Sequence, residues 1–296
     1  ASYLSSYFVN MTLGLDYHFK IYSYDSSHLH KVVLKCGSYS KTWDRVKGGV
    51  QTTFTVPKEW ANAMPNATSL NGTWTLTTYQ SNYSTKVGSN DVETTKFNVP
   101  ATMKPTVNVN TSEAIEGIAE QFGAYVQGRS KIKVDITANG IYGSTIKKYN
   151  TTVNGVTYTS NSFTTGTLKE SGFKSCSTTV TDSRGKTQSD SNEYTVLAYT
   201  KPKITNFSVA RCLEDGTEND EGTFVKVISK ATIDEVKERN TKAFKLSYKL
   251  TNEENWTDID ITGDEYILED ERILEGFDIN NTYNFKIEAT DFFETQ

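Results

Sequence analysis

Five acidic side chains crowd into nine residues at Glu214, Asp215, Glu218, Asp220 and Glu221, with Gly216 and Gly222 among them. Carboxylates at this density offer hard oxygen ligands to Ca²⁺. Their spacing is not that of an EF-hand, and the competing reading is a solvated hairpin tip whose glycines supply positive φ. His28 and His30 share one strand face and can reach one metal, but a zinc site needs about four ligands. Cys36 lies too far along that strand to join them, so satisfied core or cleft histidines are the expectation. With His18 the chain has three histidines in all. A Ser-His-Asp or Cys-His set would have to be built from them, and no nucleophile-elbow sequence is present. No catalytic residue is assigned, and no cofactor is expected beyond the possible calcium.

The aromatic residues suggest a different chemistry. Tyr22, Tyr24, Tyr39 and Trp43 are the candidate glycan or receptor patch, because amphipathic rings on a β-sandwich stack on sugars at wet interfaces. Against this, Tyr and Trp are ordinary strand residues. The Asn-x-Ser/Thr triplets at Asn66, Asn71, Asn150 and Asn206 read as accidents of a chain rich in Asn, Ser and Thr.

The elements that must carry these residues are strands. Lys104-Pro105-Thr106-Val107 and Lys201-Pro202-Lys203-Ile204 each close one strand-rich block and open another, about one immunoglobulin-sized sandwich apart. Proline lacks an N–H and stiffens such a crossing. The expected domains are 1–101, 102–200 and 201–296, the third lacking its last strand. Period-two alternation predicts strands at His28–Cys36, Thr73–Tyr79, Lys131–Thr137, Phe244–Leu250 and Tyr283–Ala289. Asn154-Gly155 predicts a type I′ hairpin. One helical turn anchored by Trp60 and a short helix within Ile115–Tyr125 are the helical expectations. Thr290-Asp291 echoes Thr181-Asp182, which supports a repeated module. The fold class expected is all-β, with tandem immunoglobulin-like or fibronectin-like β-sandwiches in an elongated array.

Composition agrees. The 296 residues include 36% hydrophobic and 12% aromatic side chains with 5 Pro and 19 Gly, enough for packed cores. A net charge of -5 weighs against a nucleic-acid groove. No run is apolar enough for a membrane span, and no signal peptide is visible at Ala1. Cys36, Cys176 and Cys212 fall one to a block, which is no disulfide framework and suits a chain folded in a reducing cytosol.

Several stretches resemble minor structural proteins from tailed phages of Gram-positive bacteria. They are Val56-Pro57 through Trp60, Met64–Ser69, Phe122–Val134, Tyr142–Ile146, Val180–Lys186, and Asp215-Gly216-Thr217 through Thr223. The resemblance covers nearly the whole chain, is most specific in the second block and weakest before Val50. It implies a tail, baseplate or fibre component of tandem immunoglobulin-like or fibronectin-like domains, and carries no catalytic residues. The expected protein is a virion component assembled in the host bacterial cytoplasm. It would act as a spacer, with other virion structural proteins as partners, a homo-oligomeric state, and contact with a host cell-envelope glycan. The rival reading is a bacterial surface adhesin or carbohydrate-binding module.

Overall fold

The computed structural model describes residues 2–261 and 265–296 and is all-β. Among the described residues the helical pieces are a 3-10 turn, Lys58–Ala63, and helix α1, Ile118–Phe122. Both lie where a helical turn was expected. Each sheet draws its strands from only one of three successive stretches of chain.

The first stretch holds β1 (Tyr3–Ser6), β2 (Asn10–Thr12), β3 (Asp16–Tyr22), β4 (Leu29–Cys36), β5 (Tyr39–Lys47), β6 (Gln51–Thr55), β7 (Ser69–Tyr79) and β8 (Lys86–Asn98). They form a three-stranded sheet, β1-β3-β6, and a five-stranded sheet, β2-β8-β7-β4-β5. Alternation makes the core: His30, Val32, Leu34 and Cys36 of β4 are buried, and so are Trp74, Leu76 and Thr78 of β7. Antiparallel register sets Leu34 opposite Trp74 and Val32 opposite Leu76. The chain changes sheets early, since β1 pairs antiparallel with β3 whereas β2 pairs parallel with β8.

The second stretch holds β9 (Thr106–Glu113), β10 (Tyr125–Val126), β11 (Ile132–Asn139), β12 (Ile146–Val153), β13 (Val156–Tyr158), β14 (Ser162–Thr164), β15 (Gly172–Asp182) and β16 (Thr187–Leu197). The sheets are β14-β11-β9 and β10-β16-β15-β12-β13, with β10 again parallel to the last strand. Asn154 and Gly155 have φ of 48° and 74° between the paired Val153 and Val156, as a type I′ turn requires. Across β12 and β15 the fully buried Thr151 and Thr178 hydroxyls bond at 2.6 Å. Thr151→Val is expected to cost about 1–3 kcal/mol, because it strands the Thr178 hydroxyl, whereas the double valine variant should recover most of that loss. Urea denaturation of the three variants checks this, and additive losses would contradict it.

The third stretch holds β17 (Lys203–Cys212), β18 (Phe224–Thr232), β19 (Ala243–Leu250), β20 (Thr257–Ile259), β21 (Ile267–Leu274) and β22 (Tyr283–Thr290). They pair as β17-β18-β21 and β20-β19-β22 around Val225, Val227, Leu246, Leu268, Phe277 and Ile287. After β22 the chain turns, and Thr295 bridges back to Thr290.

Pro105 and Pro202 are buried immediately before β9 and β17. By compactness the chain divides into two units. One comprises Ala1–Thr111, Val134–Phe163 and Ser175–Asn192; the other comprises Ser112–Lys133, Thr164–Lys174 and Glu193–Gln296. The division runs through β9, β11, β14, β15 and β16 of the middle stretch.

Candidate functional site

In the first unit Tyr22 ends β3, Tyr24 follows it, and Tyr39 and Trp43 lie on β5. Trp43 joins Phe19, Phe54 and Trp74 in a four-ring box, with centroids 5.0, 4.9 and 6.1 Å from it. The Lys41 ammonium lies 5.6 Å above its ring. Tyr39 packs against the core near Trp60, at 6.5 Å. Tyr22 is half exposed and stacks on Tyr3 at 5.1 Å, while Tyr24 is 79% exposed. Along the paired strands β3 and β6 an open depression of about 560 Å³ is lined by Asp16, Tyr17, His18, Thr53, Phe54 and Thr55.

His28 is partly buried and His30 fully so. The His30 Nδ1 lies 3.0 Å from the Val46 carbonyl, which makes it the protonated nitrogen and leaves a buried, unbonded Nε2. Burial lowers the His30 pKa, the Val46 bond opposes that, and His28 adds to the lowering. The neutral imidazole is thus favoured in the folded state. Its stabilising effect is complete above the unfolded value of about 6.5 and is lost as pH falls from there toward the lower folded value. Thermal melts from pH 7.5 down to 5 should show this loss, and His30→Gln should flatten the slope.

Cys36, Cys176 and Cys212 are free and buried. Burial pushes the Cys36 thiol up to about 11 and raises Cys176 as well. A thiol reagent at pH 8 is expected to label none of the three in the folded protein and all three in urea.

The first unit does build one unusual polar site, at the turn between β15 and β16. Asp182 Oδ1 accepts from the Arg184 and Lys186 amides at 2.9 and 2.8 Å, and Gly185 closes the turn at φ 79°. This throws the buried Arg184 side chain onto main-chain carbonyls. Its Nε donates to Met64 at 3.0 Å, one terminal nitrogen to Ile141 at 2.8 Å, and the other to Ala61 at 3.0 Å and to Tyr142. Beside it the Ser183 hydroxyl donates to the Pro65 carbonyl at 2.5 Å. Burial draws the Arg184 pKa down, opposed by the Asp182 charge. Four carbonyl dipoles, together with the Asp182 charge, take the place of water around the cation, which is how a buried charge is tolerated.

In the second unit the echo of that turn, Asp291, likewise bonds two amides, Phe293 at 2.8 Å and Glu294 at 2.9 Å. Phe293 then stacks on Phe122 at 5.3 Å and meets Tyr199 edge-on at 4.9 Å. The Arg129 guanidinium lies 5.1 Å from the Phe293 centroid and pairs with Glu294. Burial raises the Tyr199 pKa, and its hydrogen bonding to Asp291 adds to this. Arg211 is caged too, donating to the carbonyls of Gly222, Phe277, Asp278 and Asn281 within the third stretch.

Glu214, Asp215, Glu218, Asp220 and Glu221 are all exposed on the loop joining β17 and β18. Asp215 Oδ1 caps the Thr217 amide at 2.9 Å, a bond that lowers its pKa. Among the described residues no three His, Cys, Asp or Glu side chains gather to hold a metal. No helix among them is long and apolar enough to cross a membrane.

Residues 3–288 match the family model described as "Siphovirus protein of unknown function (DUF859)". The chain belongs to that family of siphovirus proteins. Among curated proteins no sequence matches it. The chain is also similar to solved structures, among them these three. Fibronectin(III)-like modules of Clostridium thermocellum CbhA are 13% identical, with a TM-score of 0.27, covering 67% of this chain and 95% of that one. The FN1–FN3 domains of chicken CNTN1 are 8% identical, with a TM-score of 0.27, covering 100% and 96%. A Ca²⁺-stabilized adhesin that helps an Antarctic bacterium bind ice is 15% identical, with a TM-score of 0.33, covering 100% and 72%.

Proposed function

We propose that the chain is a structural component of the siphovirus particle, in its tail, baseplate or fibre. It works as a spacer of three sandwich modules, residues 1–101, 102–200 and 201–296, without enzymatic chemistry, and its partners are other virion structural proteins. The observation that carries this reading is the pairing pattern: successive stretches of chain each close their own two sheets, as a string of independently cored modules must. The buried guanidinium of Arg184, which bonds residues 61 and 64 as well as 141 and 142, supports it. A spacer needs a joint that resists bending. Proteomics of purified particles, with immunogold labelling, tests the assignment, and absence of the chain from particles ends it.

Attachment to a host-envelope glycan is a second reading, favoured by the exposed, stacked Tyr3–Tyr22 pair and by Tyr24. Binding of the chain to purified cell walls, lost in a Tyr22→Ala/Tyr24→Ala variant that melts normally, is the expected result. Equal binding by both proteins would remove that reading.

A further inference from the structure

The two short helical pieces have the same deficiency. Neither the 3-10 turn Lys58–Ala63 nor α1 carries a basic residue in its last turn. The final carbonyls of a helix keep spare acceptor capacity at the negative end of its dipole and favour a cation there. In each case an arginine from more than a hundred residues downstream supplies it. Arg184 donates to Ala61, in the last turn of the 3-10 piece, and to Met64, its C-cap. Arg239 donates to Phe122, the last residue of α1.

The second clasp is reciprocal, since the Gln121 amide donates to the Arg239 carbonyl at 2.5 Å. Gly123, the C-cap of α1, has φ 61°, and a Cβ there would lie 3.0 Å from the guanidinium. Glycine at this position therefore serves both the left-handed cap and the approach of the arginine.

The backbone that delivers Arg239 is itself strained. Val236, Lys237 and Glu238 have φ of 43°, 57° and 62°, a left-handed turn that L-residues avoid. It is held by Asp234 Oδ1 on the Val236 amide at 3.1 Å and by the Asn240 side-chain amide on the Asp234 carbonyl at 2.7 Å. The turn also buries Val236 against Ile118, Phe122, Val126 and Leu197. Strain of this kind persists only where the surroundings over-determine it.

We infer that Arg184 and Arg239 are C-terminal helix caps supplied by the following module to the preceding one, and that these caps are the couplings that stiffen the chain. This inference rests on the modular spacer reading. The acceptors are main-chain carbonyls, so recognition depends on the presence and geometry of a helix end and not on the side chains around it. Arg211, caged by carbonyls of its own stretch, uses the same chemistry without coupling anything.

Hydrogen exchange followed by mass spectrometry on the whole chain tests the inference in Arg184→Met. The Met64 and Ser183 amides, bonded to Ala61 and Thr145 at 3.0 and 2.7 Å, are expected to exchange at least about tenfold faster. Amides of β4 and of the middle of β15 should keep their wild-type rates. Unchanged exchange at residues 60–67 and 183 would overturn the coupling and leave the modules standing. A rise spread equally through β4 and β7 would overturn the coupling and the modular reading together. If Arg184→Met does not fold, Arg184→Lys serves with the same criteria, because one ammonium cannot span four carbonyls. Arg239→Met, read at Gly123, whose amide bonds Ala119 at 2.9 Å, should behave in the same way.

Discussion

Trp74→Ala is expected to cost about 3–5 kcal/mol, the usual loss for a large aromatic removed from a core. The side chain is fully buried and sits among Phe19, Phe54 and Trp43 at 5.6, 5.7 and 6.1 Å. These rings come from both sheets of the first stretch, so the cavity would fall where the two sheets meet. The Trp74 Nε1 is buried and unbonded, so its polar atom contributes nothing that alanine would forfeit. Trp74→Phe, which keeps a ring and removes the orphaned donor, should therefore cost much less. Urea denaturation followed by tryptophan fluorescence checks both variants. A cost for Trp74→Ala below about 1 kcal/mol, the scale of a single buried methylene, would mean that the box collapses around the gap.

Two residues earlier on β7 the opposite error should be nearly as damaging. Gly72→Ala would place a Cβ 2.2 Å from the Lys35 carbonyl oxygen and 2.4 Å from the Phe97 ring. Neither neighbour can retreat cheaply, since one is the main chain of β4 and the other is a fully buried aromatic. Overpacking of this kind costs about 1–3 kcal/mol in ordinary cores, and the rigid contacts put this case at the upper end. Phe97 meets Trp60 edge-on at 5.4 Å, so displacement of its ring should reach the 3-10 turn on which Arg184 is seated. A shifted emission spectrum together with a lower melting temperature is the expected outcome, and a variant as stable as the wild type would show that β7 and β4 can spread.

Strand positions were largely legible because a half-buried strand has a period of two. All of Lys131–Thr137 but its first residue falls within β11, Phe244–Leu250 falls within β19, and the inward set of β4 is buried from His30 to Cys36. Asn154-Gly155 and the helical turn at Trp60 were legible for a similar reason, since their signals are local. The echo of Thr181-Asp182 in Thr290-Asp291 also has a physical meaning, because both aspartates cap the amides of the turn that follows.

The candidate sites were less legible. Alternation tells which side chains of a strand share a face, but not whether another sheet covers that face. Trp43 and Tyr22 therefore look alike in sequence, although one packs inside a four-ring box and the other stacks on Tyr3 at the surface. In the sequence Arg184 is only one residue of the stretch Val180–Lys186 that carries the family resemblance. Its acceptors are carbonyls, which every residue possesses, so Ala61, Met64, Ile141 and Tyr142 carry no side-chain signal of the contact. The one available hint was an arginine two residues after an amide-capping aspartate and directly before a left-handed glycine.

The sequence by itself determined the all-β class, the strand faces, the tight turns and the absence of a disulfide framework, because these depend on neighbours along the chain and on burial pattern. Only the tertiary structure decided which aromatics are core and which are surface, and where the arginines spend their hydrogen bonds. Those outcomes depend on groups brought together from distant parts of the chain, and a main-chain carbonyl looks the same at every position until the fold brings a donor to it.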